Sequence, residues 1–95
     1  MNNHFKLHIL TPHCDFFNDT VLHLKIMDSK GPMEILPNHM YLVTMIKPSS
    51  AEFTDSNGKI YTALISEGIM KVHDNTVVLL CKNAAWPENT DDVIP

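Results

Sequence analysis

The chain reads as a series of short segments in which apolar and polar residues alternate. In Phe5 to Thr11, Phe5, Leu7 and Ile9 share one face and Lys6 and His8 the other. That period of two marks a half-buried strand. Pro12 ends it, and His13 to Asp19 follows as a polar turn holding Phe16-Phe17, one of which is expected to reach the core. Val21 to Met27 alternates again, with Leu22, Leu24 and Ile26 facing in and His23 and Lys25 facing out. Asp28-Ser29-Lys30-Gly31 is a turn by composition.

Gly31 to Thr44 is a corner. Pro32 and Pro37 interrupt it, since proline has no N–H to give a sheet ladder. One strand ends, the chain turns at Pro37-Asn38, and a second strand runs from about Met40 to Ile46, leaving His39 on a protruding polar loop. Lys47-Pro48-Ser49-Ser50 stops that strand. Ala51 to Thr54, the turn Asp55-Ser56-Asn57-Gly58, and Lys59 to Ile65 form a hairpin. Asn-Gly is its signal because both residues tolerate positive φ. Glu67-Gly68 leads to Ile69–Val72, and His73-Asp74-Asn75 leads to Thr76–Cys81. This last segment is apolar almost without alternation, the pattern of a strand covered on both faces.

Strands roughly every 8–12 residues, with turn signals between them, predict an antiparallel sandwich or barrel. No segment before Asn83 has a helical period, and no repeat is present. Ala84 to Pro95 carries two prolines and an excess of acid, and reads as a short tail.

Composition narrows the function classes. A chain of 95 residues makes one domain, burying roughly 60–65% of its unfolded surface. No apolar run approaches the ~18–20 residues of a membrane span. Met1-Asn2-Asn3-His4 lacks the order of a signal peptide. Seven basic against eleven acidic residues, net −4, argue against a nucleic-acid partner, which needs clustered Lys and Arg. Two cysteines make no disulfide framework and read as reduced thiols.

The candidate chemistry is sparse. His4 and His8 lie on a strand, where four residues span about 13 Å, too far for one metal. His13-Cys14 has no accompanying ligand motif. Cys81 sits in an apolar strand, where burial makes a thiol inert, and Cys14 has no helix N-terminus to activate it. Three separated glycines make no phosphate cradle. Neither a metal, a cofactor nor a catalytic residue is therefore expected. Met27, Met33, Met40, Met45 and Met70 fall at strand ends or near loops. Each alone fits core gap-filling; together they suggest that some line a protein interface.

Four motifs in order carry a resemblance. Gly31-Pro32-Met33-Glu34-Ile35-Leu36-Pro37-Asn38-His39-Met40-Tyr41-Leu42-Val43-Thr44 resembles the Gly-Glu-x-Gly-Ile-Leu-Pro-Gly-His-x-Pro-Leu-Val-Thr signature of F-type ATP synthase epsilon subunits. Thr11-Pro12 matches that family's Thr-Pro near its first strand. Ser66-Glu67-Gly68-Ile69 resembles its Ser-Gly-Gly-Phe turn, and Asn75 to Leu80 its closing strand. The spacing fits along roughly the first 85 residues.

The resemblance implies an all-β fold, a two-sheet antiparallel β-sandwich of about ten strands over residues 1–85, with 86–95 as a short acidic tail. It implies a central-stalk rotor subunit, itself non-catalytic and without cofactor. Such a subunit links the gamma subunit to the membrane c-ring and couples ion-driven rotation to ATP synthesis. It would sit peripherally at the cytoplasmic face of the bacterial cell membrane, with no obligate homo-oligomer. Residue by residue, the ring-facing loop would be Gly31, Pro32, Met33, Glu34, Asn38 and His39. The gamma-facing side would include Thr11, Thr44 and Ile69. His39 would serve as a hydrogen-bonding group at a wet interface, or would brace its own corner. Pro32, Glu34, Met40-Tyr41 and Ser49 depart from the family pattern. The family's C-terminal helical hairpin would begin near Glu88 to Asp92, where the sequence stops, so coupling without that inhibitory brake, or its ATP site, is expected. The competing reading is a free-standing sandwich that binds a soluble partner or small ligand.

Overall fold

The computed structural model describes residues 3–87, and among them every regular element of length is a strand. The strands are β1 (Phe5–Leu10), β2 (Asp15–Asp28), β3 (Gly31–Ile35), β4 (Leu42–Ile46), β5 (Ser49–Asp55), β6 (Ile60–Ile65), β7 (Gly68–His73), β8 (Thr76–Cys81) and β9 (Ala84–Ala85). The nine strands described form an all-β sandwich, against about ten expected. The hydrogen-bonded order is β1-β8-β7-β4-β2-β5-β6-β9, with β3 added on β2 and β1 also paired to β2. All pairs are antiparallel except β1–β8, which is parallel.

The long strand β2 joins the two layers. Its first half pairs with β1, while Val21 to Asp28 pairs with β5 and β3. One layer is thus β3-β2-β5-β6-β9 and the other β2-β1-β8-β7-β4. Between them lies one apolar core, in which Leu7, Ile9, Leu24, Ile35, Phe53, Met70 and Leu79 are fully buried. Phe5, Leu7 and Ile9 are inward as the alternation predicts.

Five expectations are corrected. His13 to Asp19 is not one polar turn: only Thr11–Cys14 turns, and Asp15 already begins β2. The turn is closed by the Thr11 N–H on the Cys14 carbonyl (3.0 Å), while the Thr11 hydroxyl oxygen accepts the His13 and Cys14 N–H groups. Phe16, Phe17 and Thr20 are half-buried and Asp15, Asn18 and Asp19 exposed, so this part of the strand has no alternation to mark it. Alternation through Val21 to Met27 is also broken. Val21 and Leu24 are both fully buried, Leu22 only half, and a register shift falls between Val21 and His23. An extra residue there is a bulge, which bends the strand from one layer into the other.

The strand after the corner begins at Leu42 rather than Met40. β8 is covered on one face only: Val77, Leu79 and Cys81 point into the core, while Leu80 is exposed. Ala84 and Ala85, read as tail, pair with β6. Trp86 follows and stacks on Phe16 with centroids 4.4 Å apart, within an aromatic group that includes Phe17, Phe53 and Tyr61. The rest of the predicted acidic tail, 88–95, lies outside the described residues.

The β5–β6 hairpin forms as expected, by a different turn. Gly58 alone is left-handed, at φ 88, and its N–H reaches the Asp55 carbonyl at 3.0 Å. This is a type I turn closed by a glycine bulge. Asp55 organises it: its carboxylate accepts the Asn57 and Lys59 N–H groups, both at 2.9 Å, and the Tyr61 hydroxyl at 3.2 Å. The Lys59 N–H, above all, holds the carboxyl below the ordinary aspartate range, against the opposing effect of burial. A depressed folded-state pKa stabilises the fold above the free-aspartate value of about 4, and that contribution fades as pH falls through the folded value. Asp55→Asn should therefore flatten the acid limb of a stability-versus-pH curve below about pH 4. An unchanged limb would contradict this role.

Candidate interaction surfaces

Sandwich strands ordinarily show polar side chains to water on their outer faces. The outer face of β4-β7-β8-β1 does not. Cross-strand register sets Met45 beside Ile69, Ile69 beside Leu80, and Leu80 beside Leu10. The result is a continuous aliphatic row across four strands. Met45, Ile69 and Leu80 are 58%, 42% and 50% exposed. The parallel row carries Val43, Lys71, Val78 and His8. A depression of about 540 Å³ lies over the first row, and Thr11, Pro12 and Cys81 also line it. Its rim carries the Lys82–Glu67 ion pair, at 3.4 Å. Such an apolar patch rimmed by charge marks a surface for another protein.

Gly68 sets the shape of this patch. A Cβ there would press into the Leu80 carbonyl oxygen and lie 3.0 Å from Cys81 Cα. Glycine lets β7 and β8 close up, so Ile69 and Leu80 stand level. Burial raises the Cys81 thiol pKa, and the sulfur lies 3.8 Å from the Leu10 carbonyl oxygen. It is a packing group, as the sequence indicates.

Of the residues expected to face gamma, Thr11 and Ile69 meet at this depression. Thr44 does not join them. It pairs with the buried Met70, and its hydroxyl donates to Asp28 Oδ2 at 3.3 Å. Its neighbour Met45 takes the outward place. Met45 is one of the methionines the sequence pointed to for an interface, whereas Leu80 and Leu10 were not singled out; the near-continuous apolar run of β8 was the available signal for Leu80.

The six residues expected to face a ring split into two groups. Gly31, Pro32, Met33 and Glu34 form edge strand β3, held at its start by Asp28, whose Oδ1 accepts the Lys30 and Gly31 N–H groups at 2.8 and 3.1 Å. Gly31, at φ 135, uses a conformation that side chains rarely adopt. Asn38 and His39 lie beyond the other end of β3, roughly a strand length of ~13 Å away. There the Asn38 N–H donates to Asn75 Oδ1 at 2.7 Å, and Asn75 Nδ2 donates to the His4 carbonyl at 2.8 Å. Asp74 and Asn75, both at positive φ, make the type I′ turn between β7 and β8. Asn38, at φ 64, fills a left-handed position that asparagine tolerates.

His39 Nδ1–H donates to the Met40 carbonyl at 2.9 Å. The tip around it exposes Leu36, Met40 and Tyr41, with Tyr41 edge-on to His73 at 5.7 Å. The methionines therefore divide: Met70 is core, Met27 and Met33 are half-buried, and Met40 and Met45 are outward.

Comparison with known proteins agrees with this fold. The profile of the family described as "ATP synthase, Delta/Epsilon chain, beta-sandwich domain" matches residues 4–87. The ATP synthase epsilon chain of Clostridium novyi (strain NT) is 36% identical over 87 residues, covering 92% of this chain and 66% of that protein. The epsilon chain of Clostridium botulinum (strain Eklund 17B / Type B) is 36% identical over 91 residues, 96% of this chain and 68% of that one. The present sequence thus spans about two thirds of these relatives. Among solved structures, a chain of the Euglena gracilis mitochondrial ATP synthase (OSCP/F1/c-ring) superposes with a TM-score of 0.86 at 23% identity. That match covers 93% of this chain and 56% of that one. A chain of the Tetrahymena thermophila mitochondrial ATP synthase central stalk and c-ring gives 0.73 at 13% identity, over 87% of this chain and 66% of that one. These two likenesses show the shared fold. With the profile spanning all nine strands, this chain belongs to the beta-sandwich family of ATP synthase delta/epsilon chains.

Proposed function

We propose that this domain is the sandwich of a central-stalk subunit of an F-type ATP synthase, which grips the gamma subunit and rests on the membrane c-ring. The aliphatic row Met45–Ile69–Leu80–Leu10 carries the reading, because it is the face that most needs a partner to exclude water. Its work is mechanical: a stiff sandwich clamped to a turning shaft transmits torque, and the chemistry takes place in other subunits. The tip at Asn38-His39 and edge strand β3 are the proposed ring-facing groups. Ring contact at this tip would combine hydrogen bonds from Asn38 and His39 with cover for the exposed Leu36, Met40 and Tyr41. The domain is held peripherally, at the cytoplasmic face of the bacterial cell membrane, through the complex. Among the described residues no helix is long and apolar enough to cross a membrane.

Co-expression with the gamma chain and c-ring of the same organism tests this. Tagged protein should retain gamma through purification, and reconstitution with the ring should follow. His39→Ala should weaken ring association several-fold while leaving the melting temperature of the isolated chain unchanged. Failure to retain gamma overturns the stalk reading; unfolding by His39→Ala assigns that ring to bracing its own corner.

A further inference from the structure

The opposite outer face, that of β3-β2-β5-β6, carries a second groove, of about 580 Å³. We propose that it docks a basic protein segment, a Lys or Arg flanked by aliphatic side chains. Cross-strand register sets Glu34, Lys25, Glu52 and Thr62 in one row along the groove. Pro32 and Met27 pair in the adjoining row and supply apolar floor. Directly opposed residues on antiparallel strands stand ~5 Å apart, so Lys25 is within reach of both carboxylates. Among the described residues it nevertheless makes no ion pair within 4.0 Å with either. The row sets two carboxylates against one ammonium and keeps an excess negative charge over an apolar strip.

Charge selects the occupant. The chain's own Glu88, Asp91 and Asp92 would be repelled by Glu34 and Glu52, as would an anionic lipid surface. A second copy would bring the same two carboxylates on a chain of net charge −4. A basic side chain instead completes the pairing that Lys25 leaves unfinished, and its aliphatic neighbours cover Met27 and Pro32. The groove shares Pro32 and Glu34 with the edge strand proposed to face the ring, but the inference needs no gamma contact, because this face lies across the core from the aliphatic row and the peptide titration is read without ring or gamma present.

The test is an NMR titration of the ¹⁵N-labelled chain with two blocked pentapeptides, Gly-Leu-Lys-Leu-Gly and Gly-Leu-Glu-Leu-Gly. The lysine peptide should saturably shift the amides of Lys25, Met27, Glu34 and Glu52, and the shifts should weaken as salt rises. Glu34→Gln with Glu52→Gln should cost about tenfold in affinity without lowering the melting temperature. Equal binding of the glutamate peptide overturns the proposal. So do shifts confined to the Ile69 face, or concentration-dependent dimerisation through this groove.

Discussion

Ile69→Glu combined with Leu80→Glu should abolish retention of the gamma chain while the sandwich stays folded. Both side chains point outward from β7 and β8 and are about half exposed in the isolated domain. Covering such a side chain is worth roughly 1 kcal/mol or more. Placing a carboxylate there instead strands a charge in an apolar interface, at several kcal/mol. Two such changes should total at least ~4 kcal/mol, a loss of about a thousandfold in affinity. In the isolated domain the same positions face water, where outward substitutions cost about 0.5–1 kcal/mol each. Circular dichroism should show an intact sheet, and pull-down should show no gamma. Gamma retained at wild-type yield would mean that the stalk grips another face. Thr44→Glu is the informative contrast. Its hydroxyl is tied to buried Asp28, so that change should damage the fold instead of only the interface.

Trp86→Ala should lower stability by about 3 kcal/mol, with Trp86→Phe recovering much of it. The indole stacks on Phe16 and lies 5.7 Å from Tyr61 and 6.2 Å from Phe53 by ring centroids. It closes the open side of an aromatic group whose centre, Phe53, is fully buried. Removing it leaves a hole that backbone on one side cannot refill, since β9 is only two residues long. For a domain near 100 residues, ~3 kcal/mol corresponds to a fall of roughly 12–20 °C in melting temperature. A fall below about 4 °C would show that the core is complete without the indole.

These two outcomes divide what could be read in advance from what could not. The β5–β6 and β7–β8 hairpins were legible because their turn residues sit together in the chain. Asp55-Ser56-Asn57-Gly58 and His73-Asp74-Asn75 specify reversal whatever surrounds them. The inward set Phe5-Leu7-Ile9 was legible for the same local reason, since side chains alternate along any strand, whereas Val77 and Leu79 could not be told from Leu80, because an apolar run hides which face is covered. The family motifs located the corner at Pro37-Asn38. The start of β2 was hidden because the adjacent Phe16 and Phe17 are both half-buried, which breaks the alternation that marks a strand. The bulge at Val21–His23 was hidden because one extra residue shows only as a shift against a partner strand.

Sequence alone determined that this is an all-β domain with reversals at known places and a corner at Pro37-Asn38. Period-two alternation and turn chemistry act between near neighbours, so they can be read without a fold. Only the tertiary structure decided which outer face lacks cover. Leu10, Met45, Ile69 and Leu80 come from four separate strands; Leu10 is half-buried and the other three are exposed, and each alone is unremarked on a protein surface. Hydrogen-bonded register lines them up about 5 Å apart, and that spacing turns four isolated side chains into one surface.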